Sequence, residues 1–232
     1  PDALHFLGLA TYQAGDHAGA TRLIRQALKQ QPDYTDALKN LGNVLLDSKK
    51  YPEAEECYQR VIDLDPDDAA IYSNLSVAQR YQGRFETAIQ SGKRSVAKAP
   101  EQLICWYNLG NAYKVDRRFN EAIACYKKAL GLNPKFFPAH DALCRSTLAL
   151  ESRSLIGRMR YRKTTRAYNN WLEHDPENAV ARFMLDAIQG RDLPRAPDSV
   201  VRGIFDRFAT TFEPQLEKLE YRVPQLVHRT IQ

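Results

Sequence analysis

Asparagine recurs along this chain at one fixed interval, with Asn40, Asn74 and Asn108 each 34 residues apart. Asn43 and Asn111 follow the first and the last of them by three residues. An amide offers two N–H donors and a carbonyl acceptor, so a row of amides on one helix face can hydrogen-bond an extended peptide backbone with little regard to its side chains. The alternative is that the row only joins helices or is simply solvated.

Cationic and aromatic residues flank these amides. Positions 2, 5, 6, 9, 12 and 13 of each 34-residue interval share one face of a helix with 3.6 residues per turn. The candidate binding residues on that face are Lys39, Asn40, Asn43, Asn74, Arg80, Tyr81, Tyr107, Asn108, Asn111 and Lys114. The chemistry they offer is the binding of a protein or peptide segment through hydrogen bonds and charge contacts.

Residues that perform covalent chemistry form no recognisable pattern here. The four cysteines lack C-x-x-C spacing and the five histidines lack an H-x-x-x-H pair, so we expect neither a disulfide framework nor a metal site. A reducing, cytoplasmic location follows from this use of cysteine. The sequence holds no P-loop, serine-nucleophile elbow, paired-carboxylate motif or G-x-G-x-G loop. We therefore expect no catalytic residues and no cofactor in this chain.

The interval that spaces the asparagines also spaces the residues that build helices. Prolines recur at Pro32, Pro66, Pro100 and Pro134. Leucine holds position 7 at Leu7, Leu41, Leu75, Leu109 and Leu143, and alanine holds position 20 at Ala20, Ala54, Ala88 and Ala122. Position 8 carries small residues: Gly8, Gly42, Ser76, Gly110 and Cys144. Small residues allow two helices to cross closely, and proline ends the second helix.

This pattern resembles the tetratricopeptide repeat, a helix–turn–helix unit of 34 residues. The resemblance implies an all-α fold, a right-handed α-solenoid of stacked hairpins with an end helix and a short helical tail, because one hairpin cannot bury both of its faces. In such hairpins the first helix of each repeat lines the inner groove, which is where the candidate binding residues would lie.

The repeat boundaries follow from the register. We expect repeats at 1–34, 35–68, 69–102, 103–136 and 137–178, the last with an insertion near 150–160, and an end helix at 178–189, which gives a solenoid over 1–190. In the third repeat Gly92 and Ser95 replace the usual aromatic residue and alanine. A glycine inside a helix costs about 1 kcal/mol relative to alanine, so the sequence predicts a weak point there.

One specific binding mode can be tested against the sequence. Co-chaperone tetratricopeptide domains grip a C-terminal carboxylate with lysine, arginine and asparagine from three repeats, and Lys39, Asn43 and Asn74 match the first two. The third repeat of the set supplies Ile104 and Asn108 instead of two cations. Without those charges the carboxylate loses its strongest partners, so the sequence predicts no clamp of this kind.

A basic segment runs from Arg145 to Arg166, with seven basic residues and one acid, and its local charge of +6 exceeds the +5 of the whole chain. With Tyr161 and Tyr168 nearby it has features of a nucleic-acid surface. Arg158, Arg162 and Arg166 fall on one helical stripe, which favours a solvated outer face instead. Docking of an acidic partner is a third interpretation, and we expect no nucleic-acid binding.

The tail departs from the repeat. Its segments Arg195-Ala-Pro-Asp-Ser-Val-Val-Arg202, Phe205-Asp-Arg-Phe-Ala209 and Leu219-Glu-Tyr-Arg-Val-Pro224 resemble the lead-in to the methyltransferase domain of bacterial tetratricopeptide-repeat methyltransferases. The resemblance implies that residues 191–232 form a linker and a helical lead-in, and that a parent enzyme uses S-adenosylmethionine. The chain starts inside a repeat, which favours a piece of a longer protein.

The sequence therefore predicts a non-catalytic scaffold that recognises a protein or peptide for a larger methyltransferase. A free-standing adaptor and the repeat arm of a protein glycosyltransferase are the alternatives. The tail places Val201, Ile204, Phe205, Phe208 and Phe212 on one apolar face, which favours packing or a dimer through residues 198–212. No apolar run is long enough to span a membrane.

Overall fold

The computed structural model describes residues 1–152 and 161–191, together with Ala196 and Asp198. Within these ranges every regular element is a helix and no strand occurs. Most of the predicted insertion near 150–160, most of the lead-in over 191–232 and nearly all of the proposed dimer segment 198–212 lie outside the described residues. Arg153, Arg158 and Arg160 of the basic segment lie outside them as well.

The described residues form eleven helices, and the starts of the first nine follow the predicted period. The helices are α1 (Asp2–Gln13), α2 (His17–Gln30), α3 (Thr35–Asp47), α4 (Tyr51–Leu64), α5 (Ala69–Tyr81), α6 (Phe85–Lys98), α7 (Leu103–Val115), α8 (Phe119–Leu132), α9 (Phe137–Glu151), α10 (Arg162–His174) and α11 (Ala179–Gln189). Each helix from α1 to α8 packs against the next one along the chain, and α8 packs against α9. The predicted fold class, an all-helical repeat solenoid, is confirmed.

A left-handed residue ends the first helix of each of the first four hairpins, always at position 15. Gly15 and Gly83 have φ of 88° and 76°, and Lys49 and Arg117 have φ of 60° and 63°. Glycine reaches this backbone region without a steric cost, whereas residues with a Cβ are strained there. The turn geometry thus repeats even where the sequence has no glycine.

Small residues at position 8 make room for a large side chain at position 24 of the same hairpin. A Cβ added to Gly42 would lie 2.4 Å from Tyr58 Cε1, and one added to Gly110 would lie 2.6 Å from Tyr126 Cε1. Both tyrosine side chains are fully buried. The sequence placed the close approach at positions 8 and 20; the structure adds that the aromatic ring at position 24 is the partner that fixes the size at position 8.

In the third repeat the residue at position 24 is small as well, so the space in the hairpin is filled by a different side chain. Gly92 stands at position 24 and Ser76 at position 8, and the space beside Gly92 is taken by Leu109, whose Cδ1 would lie 3.0 Å from an added Cβ. Two buried hydroxyls cross the hairpin: Ser76 Oγ donates to a carbonyl of α6 at 2.7 Å, and Ser95 Oγ donates to a carbonyl of α5 at 2.8 Å. Hydrogen bonds here replace aromatic packing, and the predicted weakness of this repeat stays a prediction.

The leucine at position 7 is covered by the repeat before it. Leu109, for example, packs on Gly92 of α6 and is 3% exposed. Leu7 is 54% exposed and the adjacent Phe6 is 62% exposed, because no second helix among the described residues lies on that side of α1.

Contacts divide the chain into two compact units, one ending at Ala167 and the other beginning at Tyr168 inside α10. In the first unit, Glu151 at the end of α9 caps the start of α10. Its carboxylate accepts bonds from the Lys163 and Thr164 backbone N–H groups at 2.8 and 2.9 Å and from the Thr164 hydroxyl at 2.7 Å. The first turn of α10 is therefore satisfied by a side chain twelve residues away in sequence.

In the second unit, Tyr168 and Trp171 stack with ring centroids 6.3 Å apart. Helix α11 lies where the sequence predicts the end helix. Asn178 caps its start by accepting the Ala181 N–H at 2.9 Å, and Gly190 ends it in the left-handed region. Along the described residues no helix is both long and apolar enough to cross a bilayer.

Candidate peptide-binding groove

The first helices α1, α3, α5, α7 and α9 contact one another in order, so the residues at positions 2, 5, 6, 9, 12 and 13 form one continuous surface, called the inner face below. All ten candidate binding residues lie on α3, α5 or α7. The 34-residue period fixes this placement, because equal positions in successive repeats fall side by side when the hairpins stack.

The asparagines at position 6 join neighbouring repeats. Asn74 Nδ2 donates to Asn43 Oδ1 at 3.0 Å and Asn108 Nδ2 donates to Ser73 Oγ at 2.9 Å. Asn40 Nδ2 lies 2.9 Å from Nε2 of the buried His5. Each contact uses one of the hydrogen-bonding positions that an amide offers. The amide row therefore joins neighbouring helices, and its half-buried side chains also reach the surface of the inner face.

A tyrosine hydroxyl of the same hairpin donates a hydrogen bond to each asparagine at position 9. Tyr58 donates its hydroxyl to Asn43 Oδ1 at 2.9 Å, and Tyr126 donates to Asn111 Oδ1 at 3.0 Å. Asn111 is only 8% exposed, so little of its amide reaches the surface of the inner face. Burial raises the pKa of both phenols far above the usual value, which keeps these hydroxyls protonated donors at any physiological pH.

Lys39 is held by Asp68, the last residue of the same repeat and the cap of the next helix, α5. Its Nζ lies 2.7 Å from Asp68 Oδ2, and Asp68 also accepts the backbone N–H groups of Ala70 and Ile71 at the start of α5. The hydrogen bond to Asp68 raises the pKa of Lys39. Burial alone would raise the pKa of Asp68, but Lys39 and the two N–H groups outweigh it and hold the pKa below its usual value. This cation is thus used within the protein.

The aromatic candidates differ in how far they are exposed. Tyr81 is 55% exposed; its ring stacks on Tyr51 with centroids 4.9 Å apart, and the Arg80 guanidinium lies 4.3 Å from its centroid. Tyr107 is half-buried and meets Phe136 edge-on, with centroids 5.2 Å apart. Tyr51, Tyr81 and Arg80 thus form one stacked set, of which Tyr81 is the exposed member.

Lys114 is half-buried on α7 and forms no salt bridge with any described residue. Burial lowers the pKa of its ammonium, and the positive charges of Arg80 and Arg145 lower it further, against the opposing effect of Asp141. Arg145 stands at position 9 of α9, the position of Asn43 and Asn111. Extending the register by one repeat identifies it, although the sequence alone assigned it only to the basic segment.

The cysteines are not reactive nucleophiles. All four are buried and unpaired, and burial raises the pKa of Cys57 and Cys125 to about 11. A thiol with such a pKa carries almost no thiolate at neutral pH. Among the described residues no group of histidine, cysteine, aspartate or glutamate is arranged to hold a metal ion.

Comparison with known families fits the repeat geometry. One tetratricopeptide-repeat model matches residues 11–76 and a second matches residues 104–136. This chain contains tetratricopeptide repeats. Small glutamine-rich tetratricopeptide repeat-containing protein 2 of Mycosarcoma maydis is 33% identical over 67 residues, which are 29% of this chain and 19% of that protein. The chain thus matches less than a fifth of the length of this relative.

Solved structures share the architecture. MamA is 25% identical with a TM-score of 0.65, over 75% of this chain and 96% of that one. TTC0263, a thermophilic repeat protein of Thermus thermophilus, is 23% identical with a TM-score of 0.58, over 81% and 98%. YrrB, a repeat protein with an unusual peptide-binding site, is 13% identical with a TM-score of 0.60, over 77% and 88%. The last two likenesses concern the fold alone.

Proposed function

We propose that the inner face binds an extended segment of another protein. The observation that carries this proposal is the exposed Tyr81, stacked on Tyr51 and flanked by Arg80, beside half-buried amides that retain unused hydrogen-bonding positions. Amides satisfy a peptide backbone and a rigid aromatic ring supplies contact area at a low entropic cost. YrrB, which has the same fold, is described by its peptide-binding site, and this supports the proposal by analogy.

The test begins with selection of peptides from a displayed random library on the immobilised full chain. Enriched peptides are then labelled and titrated by fluorescence anisotropy. Tyr81→Ala should weaken binding at least about fivefold, because the exposed ring is a principal contact. Leu132→Ala is the matched control, since it truncates a 45% exposed apolar side chain on the second helix α8, outside the inner face. Failure to enrich any peptide, or equal loss in both variants, would contradict the proposal.

A wider role for the parent protein rests on the tail. We propose that residues 191–232 lead into a methyltransferase domain that uses S-adenosylmethionine, and that the repeats select its substrate. The support is the resemblance of the segments from Arg195 to Pro224, which lie almost wholly outside the described residues. The coding sequence after Gln232 tests this directly: a strand followed by a glycine-rich loop and a helix is expected, whereas a stop codon favours the free-standing adaptor.

This chain by itself should not bind S-adenosylmethionine, because it lacks the glycine-rich loop that would approach the cofactor. Isothermal calorimetry on the purified chain should show no saturable heat. A micromolar site would mean that the cofactor is held by residues outside the motif used in the argument.

A further inference from the structure

Three cations occupy one stretch of the inner face. Arg80 and Lys114 both stand at position 12, on α5 and α7, and Arg145 stands at position 9 of α9. Helix α7 contacts both α5 and α9, so the Lys114 side chain extends from the helix between the two that carry the arginines. The positive charges of both arginines lower the pKa of the Lys114 ammonium, in keeping with their placement on the two adjacent helices.

The acids available to these cations do not balance them. Asp141 lies 2.6 Å from Arg145 Nε and is committed to that pair. Arg80 lies over the Tyr81 ring, and neither Arg80 nor Lys114 forms a salt bridge with a described residue. Of the three cations, only Arg145 is therefore paired with an acid among the described residues.

Two other lysines are each paired with an acid of the protein, unlike Lys114. Lys39 lies 2.7 Å from Asp68 and Lys98 lies 2.6 Å from Asp67, and in both cases the hydrogen bond to the acid raises the pKa of the lysine. Lys114 shows the opposite shift, with burial as the main cause. A half-buried ammonium beside like charges is unfavourable in the free protein, and an anion placed there would relieve that cost.

We propose that Arg80, Lys114 and Arg145 bind the carboxylate of an acidic side chain in the peptide segment that the groove receives. This inference rests on the proposed function and adds the chemical class of the ligand: a peptide with aspartate or glutamate at one position along its length. The carboxylate replaces lost hydration with charge-assisted hydrogen bonds, which are stronger than those between neutral groups. Tyr81, beneath Arg80, then contacts the neighbouring residue of the same peptide.

The rest of the inner face argues against a polyanion. Asp36 and Asp47 stand at positions 2 and 13 of α3, the first helix that precedes the three helices carrying the cations. Nucleic acid follows an unbroken basic stripe and neutralises several phosphates along it. A groove with acids at one end and cations at the other instead fixes the position and direction of a peptide with a single acidic residue.

The experiment uses the full chain and the peptides enriched from the displayed library. For each acid-bearing peptide, a partner with glutamine in place of glutamate, or asparagine in place of aspartate, is synthesised with the same label. Exchange of the acid for its amide should weaken binding about tenfold, and Lys114→Gln should weaken binding of the acidic peptide by a similar factor while leaving the amide partner almost unchanged. Lys135→Gln removes the same charge from an exposed position between α8 and α9 and should change neither affinity.

Arg80→Gln provides a second variant with the same expected pattern, so the test does not depend on the fold tolerating one substitution. If no peptide is enriched, the proposed function itself fails. If peptides are enriched but lack acidic residues, or if the acid-to-amide exchange has no effect in the wild-type chain, the carboxylate site is wrong and the groove still binds peptides. Tighter binding of a single-stranded oligonucleotide than of the acidic peptide, abolished by Lys114→Gln, would overturn the peptide assignment as well.

Discussion

Gly110→Ala should destabilise the protein because the added methyl group has no room. Its Cβ would lie 2.6, 2.9 and 3.1 Å from three atoms of the Tyr126 ring, where ordinary contact begins near 3.4 Å. The Tyr126 side chain is fully buried and its hydroxyl is bonded to Asn111 Oδ1, so the ring cannot move away freely. Overpacking of this kind costs about 1–3 kcal/mol, and alanine regains at most about 1 kcal/mol as a better helix former.

The expected net loss is therefore about 1–2 kcal/mol, which corresponds to a fall in Tm of about 3–6 °C for a chain of this size. Gly131→Ala is the matched control, because Gly131 lies in α8 and an added Cβ there has no atom within 4 Å. That variant should raise Tm by about 1–3 °C through helix propensity alone. Thermal unfolding followed by far-ultraviolet circular dichroism measures both.

Tyr126→Phe separates crowding from hydrogen bonding in this prediction. It removes only the bond to Asn111 and leaves the ring in place, at a cost of about 1 kcal/mol. If crowding is the cause, Gly110→Ala should lose the same free energy in the Tyr126→Phe background as in the wild type. A Gly110→Ala protein as stable as Gly131→Ala would refute the argument that the ring at position 24 dictates the small residue at position 8.

Four further outcomes follow from the structure. Glu151→Ala should cost about 1–2 kcal/mol because it removes the cap of α10. Burial alone would raise the pKa of Glu151, but the capped N–H groups outweigh it and hold the pKa below its usual value. The stabilisation by Glu151 is therefore complete above the pKa of an unfolded glutamate and is lost as the pH falls through the folded pKa. Measurement of Tm as a function of pH in the acid range tests this. Gly83→Ala should cost about 1 kcal/mol by urea unfolding, because φ is 76° there. The pKa of Lys114, followed by NMR of labelled lysine, should lie below that of a free lysine and rise in Arg80→Gln, since a like charge is removed. Cys57 should react slowly with a thiol reagent at neutral pH and faster after unfolding, because its pKa is about 11.

The period of the chain predicted the fold well because every repeat obeys the same packing constraints. Prolines and alanines at fixed positions determine helix ends and close crossings, and these local rules do not depend on distant residues. The left-handed turns at Lys49 and Arg117 were not evident from residue type, since neither is glycine. They follow instead from their equivalence to Gly15 and Gly83.

The sequence predicts on which helices the candidate residues lie, but not which hydrogen bonds and ion pairs they form. Register alone places Asn74 and Asn108 on the inner face, but it cannot show that their amides donate to Asn43 and Ser73 of the preceding repeat. The pairing of Lys39 with Asp68 likewise depends on how neighbouring hairpins stack. Which cations remain without an acid is a property of the assembled solenoid, and only the structure separates Lys114 from Lys39.

Gly92 shows why helix propensity alone does not determine how a repeat packs. By helix propensity alone it weakens α6, yet Leu109 of the next repeat fills the space and Ser76 takes the place of the usual glycine at position 8. Repeats are not independent units, because each one completes the packing of its neighbour.

Hydrogen exchange of the chain with and without a saturating library-selected peptide tests whether the inner face of the first helices receives the ligand. Mass spectrometry on peptic fragments resolves first helices from second helices. Binding on the inner face should slow exchange in α3, α5 and α7, with α4, α6 and α8 unchanged or affected only weakly. Protection confined to the second helices would place the ligand on the opposite surface and rule out binding on the inner face.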